Sequence, residues 1–95
     1  MKKLEIIMSQ SIDEDFSRLC EVNHVGQHFT KSNGVMGKGN TVPKMGDDTW
    51  PQSNVHYMMV IENDELEEMK KIITYLRSQF PDEGIACFVT DAEAI

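Results

Sequence analysis

The sequence predicts an α+β fold of the ferredoxin-like kind, βαββαβ: an antiparallel four-stranded sheet with two helices on one face. Two period-two alternations, Lys3 to Met8 and Val55 to Ile61, are each followed by a stretch of helical spacing. A further β-rich run, Ile85 to Thr90, follows the second of these, and Gln27 to Met36 supplies a weaker strand after the first. With 95 residues, the chain has enough material for one compact core and too little for two, so positions 1–95 are read as a single domain.

In the first strand Leu4, Ile6 and Met8 share one face, with Glu5 and Ile7 on the other. Ser11-Ile12-Asp13-Glu14 has the form of a capping box, and Ile12, Phe16, Leu19 and Cys20 recur at helical spacing behind it. The helix is expected to end near Val22 to Val25, with Asn23 or Gly26 taking a left-handed conformation. His28 and Phe29 open the second strand, interrupted by Asn33-Gly34 as a bulge or a turn. Positions 37–54, with five Gly or Pro residues and little periodicity, read as one long loop, and loops of that length in a compact domain usually carry function.

Val55 to Ile61 is apolar on both faces and is expected in the middle of the sheet. Asp64 is the expected N-cap of the second helix, whose stripe of Leu66, Met69, Ile72, Ile73, Leu76 and Phe80 stops at Pro81. Its acidic and basic residues, with Glu67 and Lys71 in i,i+4 register, read as a solvated face. Ile85 to Thr90 reads as a buried strand. In so small a domain the sheet face opposite the helices is expected to be covered by further copies of the chain.

Nine basic against sixteen acidic residues, a net charge of −7, argue against nucleic acid as a partner and against direct insertion into a membrane. Leu4 to Met8 is too short and too interrupted for a signal-peptide core, so a cytoplasmic location is expected, with Cys20 and Cys87 as free thiols. Against that acidic background, no acidic residue occurs between Val22 and Gly46, where Lys31, Lys38 and Lys44 fall among or beside Gly34, Gly37, Gly39 and Gly46. Glycine-freed backbone N–H groups beside ammonium groups suit a small anion. Lys31, Gly34, Gly37, Lys38 and Gly39 are therefore the candidate effector-binding residues. Trp50, in the same loop, either pins the loop to the body or anchors a partner protein, and Lys44 and Trp50 are the candidate partner-contacting residues.

Seven methionines, three histidines and two cysteines raise a second possibility, a soft-metal site for copper or silver, with His28, Met36 and His56 as the least implausible ligands. No CxxC or HxxxH spacing supports it, and Met8, Met59 and Met69 fall on core faces. No nucleophile with a base at recognisable spacing and no P-loop is present, so an enzyme is not expected; a dimeric ferredoxin-like enzyme would require a cleft with a perturbed acid or base. An acylphosphatase would need an arginine in a phosphate-cradling loop, and an RNA-recognition domain an aromatic strand motif and basic charge; neither is present.

Met1-Lys2-Lys3-Leu4-Glu5-Ile6-Ile7, Gly34-Val35-Met36-Gly37-Lys38-Gly39 and Ala92-Glu93-Ala94-Ile95 resemble the PII signalling family at the corresponding places, as does the long loop between the second and third strands. The resemblance implies a divergent PII-like homotrimer without catalytic activity, binding an adenine nucleotide or another small anion in clefts between subunits near the base of the loop. It implies an output through the 37–54 loop to a membrane transporter or regulatory protein. The metal alternative would be a PII-like or CutA-like trimer. The family's Gly- and Lys-rich turn before the last strand is replaced by Phe80-Pro81-Asp82-Glu83-Gly84, no arginine follows that strand, and the loop has no tyrosine for modification.

Overall fold

The computed structural model describes residues 1–47 and 52–95. The chain runs β1 (Lys2–Ser9), α1 (Asp13–Val22), β2 (Phe29–Val35), β3 (Asn54–Ile61), α2 (Leu66–Gln79) and β4 (Ile85–Asp91), each helix entered through one turn of 3-10 helix. The strands form one sheet in the order β2-β3-β1-β4, every neighbouring pair antiparallel. This is the ferredoxin-like arrangement, with β1 between β3 (Lys2↔Ile61 to Ser9↔Asn54) and β4 (Lys2↔Asp91 to Met8↔Ile85).

Side-chain alternation places Leu4, Ile6 and Met8 of β1 and Val55, Tyr57, Met59 and Ile61 of β3 on the helix side, all buried. Ile12, Phe16 and Cys20 meet them from the α1 side, and Met69, Ile72, Ile73 and Leu76 from α2. Each such side chain contributes on the order of 1.5–3 kcal/mol through removal from water. Tyr57 lies 5.1 Å from Phe16 and 5.3 Å from Phe29, centroid to centroid, and its hydroxyl donates to Asp13.

Several local expectations are corrected. Ser11 does not cap α1: the 3-10 turn Gln10–Ile12 puts Ile12 at the N-cap, and the Ser11 hydroxyl lies 3.0 Å from that of Ser9 instead. The left-handed residue after α1 is His24 (φ 55°), not Asn23 (φ −93°). His24 N–H donates to Glu21 O and Val25 N–H to Cys20 O, a pattern that closes the helix with whichever residue stands there. Gly26 is also left-handed (φ 59°), and a Cβ there would lie 2.8 Å from Met59 Sδ. Asn33-Gly34 is a bulge, with a register shift between Ser32 and Val35 and Gly34 at φ 65°. Asp64 lies inside the turn Asn63–Glu65; the α2 entry is capped reciprocally by Glu62 and Glu65. On α2, Lys70 pairs with Glu67 and Lys71 lies 4.0 Å from Glu68, both i,i+3. β4 is an edge strand whose second half is exposed, not a buried one.

The other sheet face has no helix. Register places Ile7 between His56 and Ala86, and Glu5 between Met58 and Phe88, on that side. Phe88 is 63% exposed.

Candidate functional site

β2 ends at Val35, and Gly37 and Lys44 then pair through two reciprocal backbone hydrogen bonds of 2.7 Å, each N–H donating to the other's carbonyl. The base of the long loop is thereby drawn into a closed ring. Gly37 permits this where a side chain would intrude, because its Cβ would fall 2.5 Å from Asn54 Nδ2. The ring faces the turn between α2 and β4 across a cavity of about 630 Å³. Val35 to Val42 and Lys44 line one side, Arg77, Pro81 and Glu83 to Ala86 the other, and Ile7 and Asn54 come from the sheet. Arg77 Nη2 donates to Ile85 O at 3.0 Å, fixing its guanidinium at this rim.

Three cations, Lys38, Lys44 and Arg77, line the cavity against the single carboxylate of Glu83, in a chain of net charge −7. Lys44 is 4% exposed. Its ammonium donates to Val42 O at 3.0 Å and stands 4.0 Å from Glu83 Oε2, beyond hydrogen-bond range. Glu83 Oε2 is buried and accepts no hydrogen bond from the described residues. Among the described residues the ammonium thus has one hydrogen-bond acceptor, Val42 O, and one ion-pair partner, Glu83.

The groups whose titration the structure shifts lie elsewhere. The His56 side chain beside Glu5 holds the Glu5 carboxyl below the usual carboxylate range, and Lys2 does the same for Asp91. Burial pushes up the Cys20, Cys87 and Tyr57 groups.

Solved structures share this architecture. CPII from Thiomonas intermedia K12, in a structure bound to ADP and bicarbonate, superposes with a TM-score of 0.69 at 21% identity, covering 96% of this chain and 84% of that one. The fold is that of PII-like proteins. A second CPII structure, with ADP, AMP and bicarbonate, gives a TM-score of 0.69 at 22% identity and the same coverage. A protein of Thermus thermophilus titled as a PII-like signalling protein on a provisional basis gives 0.58 at 14% identity, over 94% of this chain and 83% of that one. No family model matches the sequence, and no curated protein does.

Within the PII-like fold the candidate residues separate. Gly37, Lys38 and Gly39 line the cavity. Lys31 is not brought to it: on β2 it pairs with Asp13, its ammonium 5.5 Å from the Tyr57 ring centroid, so a charge read from the sequence as free is already neutralised. Gly34 forms the bulge above the ring and is not among the lining residues. Lys44, read as a partner-contacting residue, is buried in the cavity wall. Trp50 lies outside the described residues.

His28, Met36 and His56 do not converge. His28 precedes β2 whereas His56 pairs with Ser32 in register, four residues or about 13 Å along the strand. Met36 is on the loop, and His56 is engaged by Glu5 on the open face. No group of three or more His, Cys, Asp or Glu side chains able to hold a metal occurs among the described residues, and no helix among them is long and apolar enough to cross a membrane. Arg77, Thr41 and Glu83 were not singled out from the sequence. The acidic 80–84 turn marked the place, but only the fold sets it opposite the loop.

Proposed function

We propose that this chain is a PII-like regulatory protein that senses a small phosphate-bearing anion, an adenine nucleotide being the leading case, and does no chemistry on it. The observation that carries the reading is the buried Lys44 ammonium, with one hydrogen bond among the described residues, in the wall of a cavity framed by the base of the long loop. Gly37, Lys38 and Gly39 supply backbone and charge beside it, and Arg77 adds a third cation. The binding of ADP and AMP by CPII supports the nucleotide assignment.

Because the Gly37–Lys44 bridge closes the base of the loop on itself, ligand contacts at Gly37 to Lys44 bias the conformation of the remainder of 37–54. That remainder is the output surface, and it engages a transporter or regulatory protein in the cytoplasm. Three copies associate through the helix-free sheet face, so the cavities lie at subunit seams.

Calorimetric titration and thermal melts with ADP, AMP and inorganic phosphate test this. ADP at about a hundred times its dissociation constant is expected to stabilise the protein by about 2.7 kcal/mol. Lys44→Met is expected to weaken ADP binding at least about tenfold, since a charge-assisted hydrogen bond contributes roughly 1.5–3 kcal/mol. Absence of stabilisation by all three ligands would remove the reading.

A further inference from the structure

Lys44 and Glu83 face each other across the cavity from two separate parts of the chain, the loop ring and the turn before β4. Thr41 and Gly84 bring the same two parts together a second time: a Cβ on Gly84 would lie 3.1 Å from Thr41 Oγ1 and 3.9 Å from the Thr41 methyl carbon. The ring therefore rests on the turn, and the charge pair spans the contact.

The way the pair is made bears on what it can do. Lys44 is buried, and its ammonium donates to Val42 O within the ring itself. Glu83 Oε2 is shut off from solvent, stands 4.0 Å from Lys44 Nζ and accepts no hydrogen bond from the described residues. Swinging Glu83 aside thus breaks an ion pair but no described hydrogen bond at Oε2. The side chain is already 24% exposed, so a rotation returns the carboxylate to water, whose hydration offsets the lost attraction. The closed and open positions then differ by little, as the two states of a switch must.

An anion that reaches Lys44 meets this carboxylate. Two negative groups on one ammonium repel strongly inside a wall of low dielectric, so the anion and Glu83 exclude each other there. The cost of moving Glu83 aside is common to every anion; it lowers all their affinities and selects none of them. What changes with occupancy is the loop. Once Glu83 has left Lys44, the ring keeps its own Gly37–Lys44 hydrogen bonds but loses its charged tie to the turn.

From this geometry we infer that the Lys44–Glu83 pair is a latch: it closes the empty cavity by holding the loop ring against the turn before β4, and a bound anion opens it by displacing Glu83. The inference rests on the anion-sensing reading above and adds how occupancy is passed to the loop.

Inorganic phosphate and acetate are titrated separately into the full chain at constant ionic strength, with the Lys44 amide resonance reporting binding. The nuclear Overhauser effect between the Thr41 methyl and the Gly84 Hα reports closure. In the unaltered protein that effect is expected without ligand and is expected to fall to about half or less at saturation with either anion. Glu83→Ala should show the weakened effect with no ligand present and bind both anions about fivefold tighter or more. Glu83→Asp keeps the charge on a side chain one methylene shorter and is expected to follow Glu83→Ala; if it follows the parent instead, the carboxylate acts only through its field and the latch is overturned. Asp82→Asn removes an exposed charge one residue away and is expected to match the parent. Anions that bind while the Thr41–Gly84 contact stays unchanged, Glu83→Ala affinities no tighter than the parent's, or equal tightening by Asp82→Asn overturn the latch and leave anion sensing standing. If neither anion moves the Lys44 resonance in any of these proteins, anion sensing at this cavity falls, and the latch falls with it.

Discussion

Cys20 illustrates what position alone does to a side chain. Its thiol, on the apolar stripe of α1, is buried, and burial pushes its pKa from 9.0 up to about 12. A raised acid pKa means that the folded state holds its proton after the unfolded chain has lost it, so the contribution to stability is whole below pH 9 and is lost as pH rises to about 12. Tyr57 acts in the same direction from its ordinary value of 10.0 upward, through burial and then its hydrogen bond to Asp13. Urea unfolding at a series of alkaline pH values should show stability falling by up to about 1.4 kcal/mol per pH unit for each such group. Cys20→Ala should remove the part that begins near pH 9, and an unchanged slope there would contradict the assignment. Burial of Cys20 was legible from its helical spacing with Phe16; that of Lys44 was not. A lysine among glycines has no local sign that a hydrogen-bonded ring will fold it inward, because the partner residues, Gly37 and Glu83, are set by tertiary structure.

Among the elements, the start of α2 is tied by Glu65 to a neighbouring segment as well as capped. Glu65 accepts the Glu62 N–H at 2.9 Å through one carboxylate oxygen and the Gly26 N–H at 3.2 Å through the other, joining the helix entry to the segment between α1 and β2. Glu65→Ala should cost about 1–2 kcal/mol, as loss of a capping group does. For a domain of this size that is a fall in melting temperature of several degrees, about 4–8 °C per kcal/mol. A melt within about 1 °C of the parent protein would show that the cap carries no weight. β1, β3 and α2 could be read from the sequence because their apolar periodicity reports one buried side. β2 could be read only weakly: none of its residues is buried, and the bulge at Ser32 to Val35 breaks its alternation. The misreading of β4 has a different cause. Its apolar run is split between two faces: Ile85 and Cys87 pack partly against the core, whereas Phe88 points to the uncovered sheet face.

At the scale of the molecule, that uncovered face is where association should occur. Phe88 neighbours Glu5 in register, and Met58 flanks Glu5 on the other side, so an acidic side chain at position 88 would place two carboxylates together in the centre of any contact between copies. Light scattering should give three times the 10.8 kDa chain mass for the unaltered protein and a single chain for Phe88→Asp. A parent protein that scatters as one chain would remove the trimer from the proposal.

The placement of β1 between β3 and β4 also bears on how the molecule is made. Its pairing of Lys2 with Asp91 joins positions almost the whole chain apart, so the sheet cannot be finished until the last strand has been synthesised. Until then Lys2–Ser9 presents a row of open backbone groups along one side, a template for stray strands of other nascent chains. A version truncated before Ile85 would keep that vulnerability permanently, and should precipitate on expression rather than merely melt early.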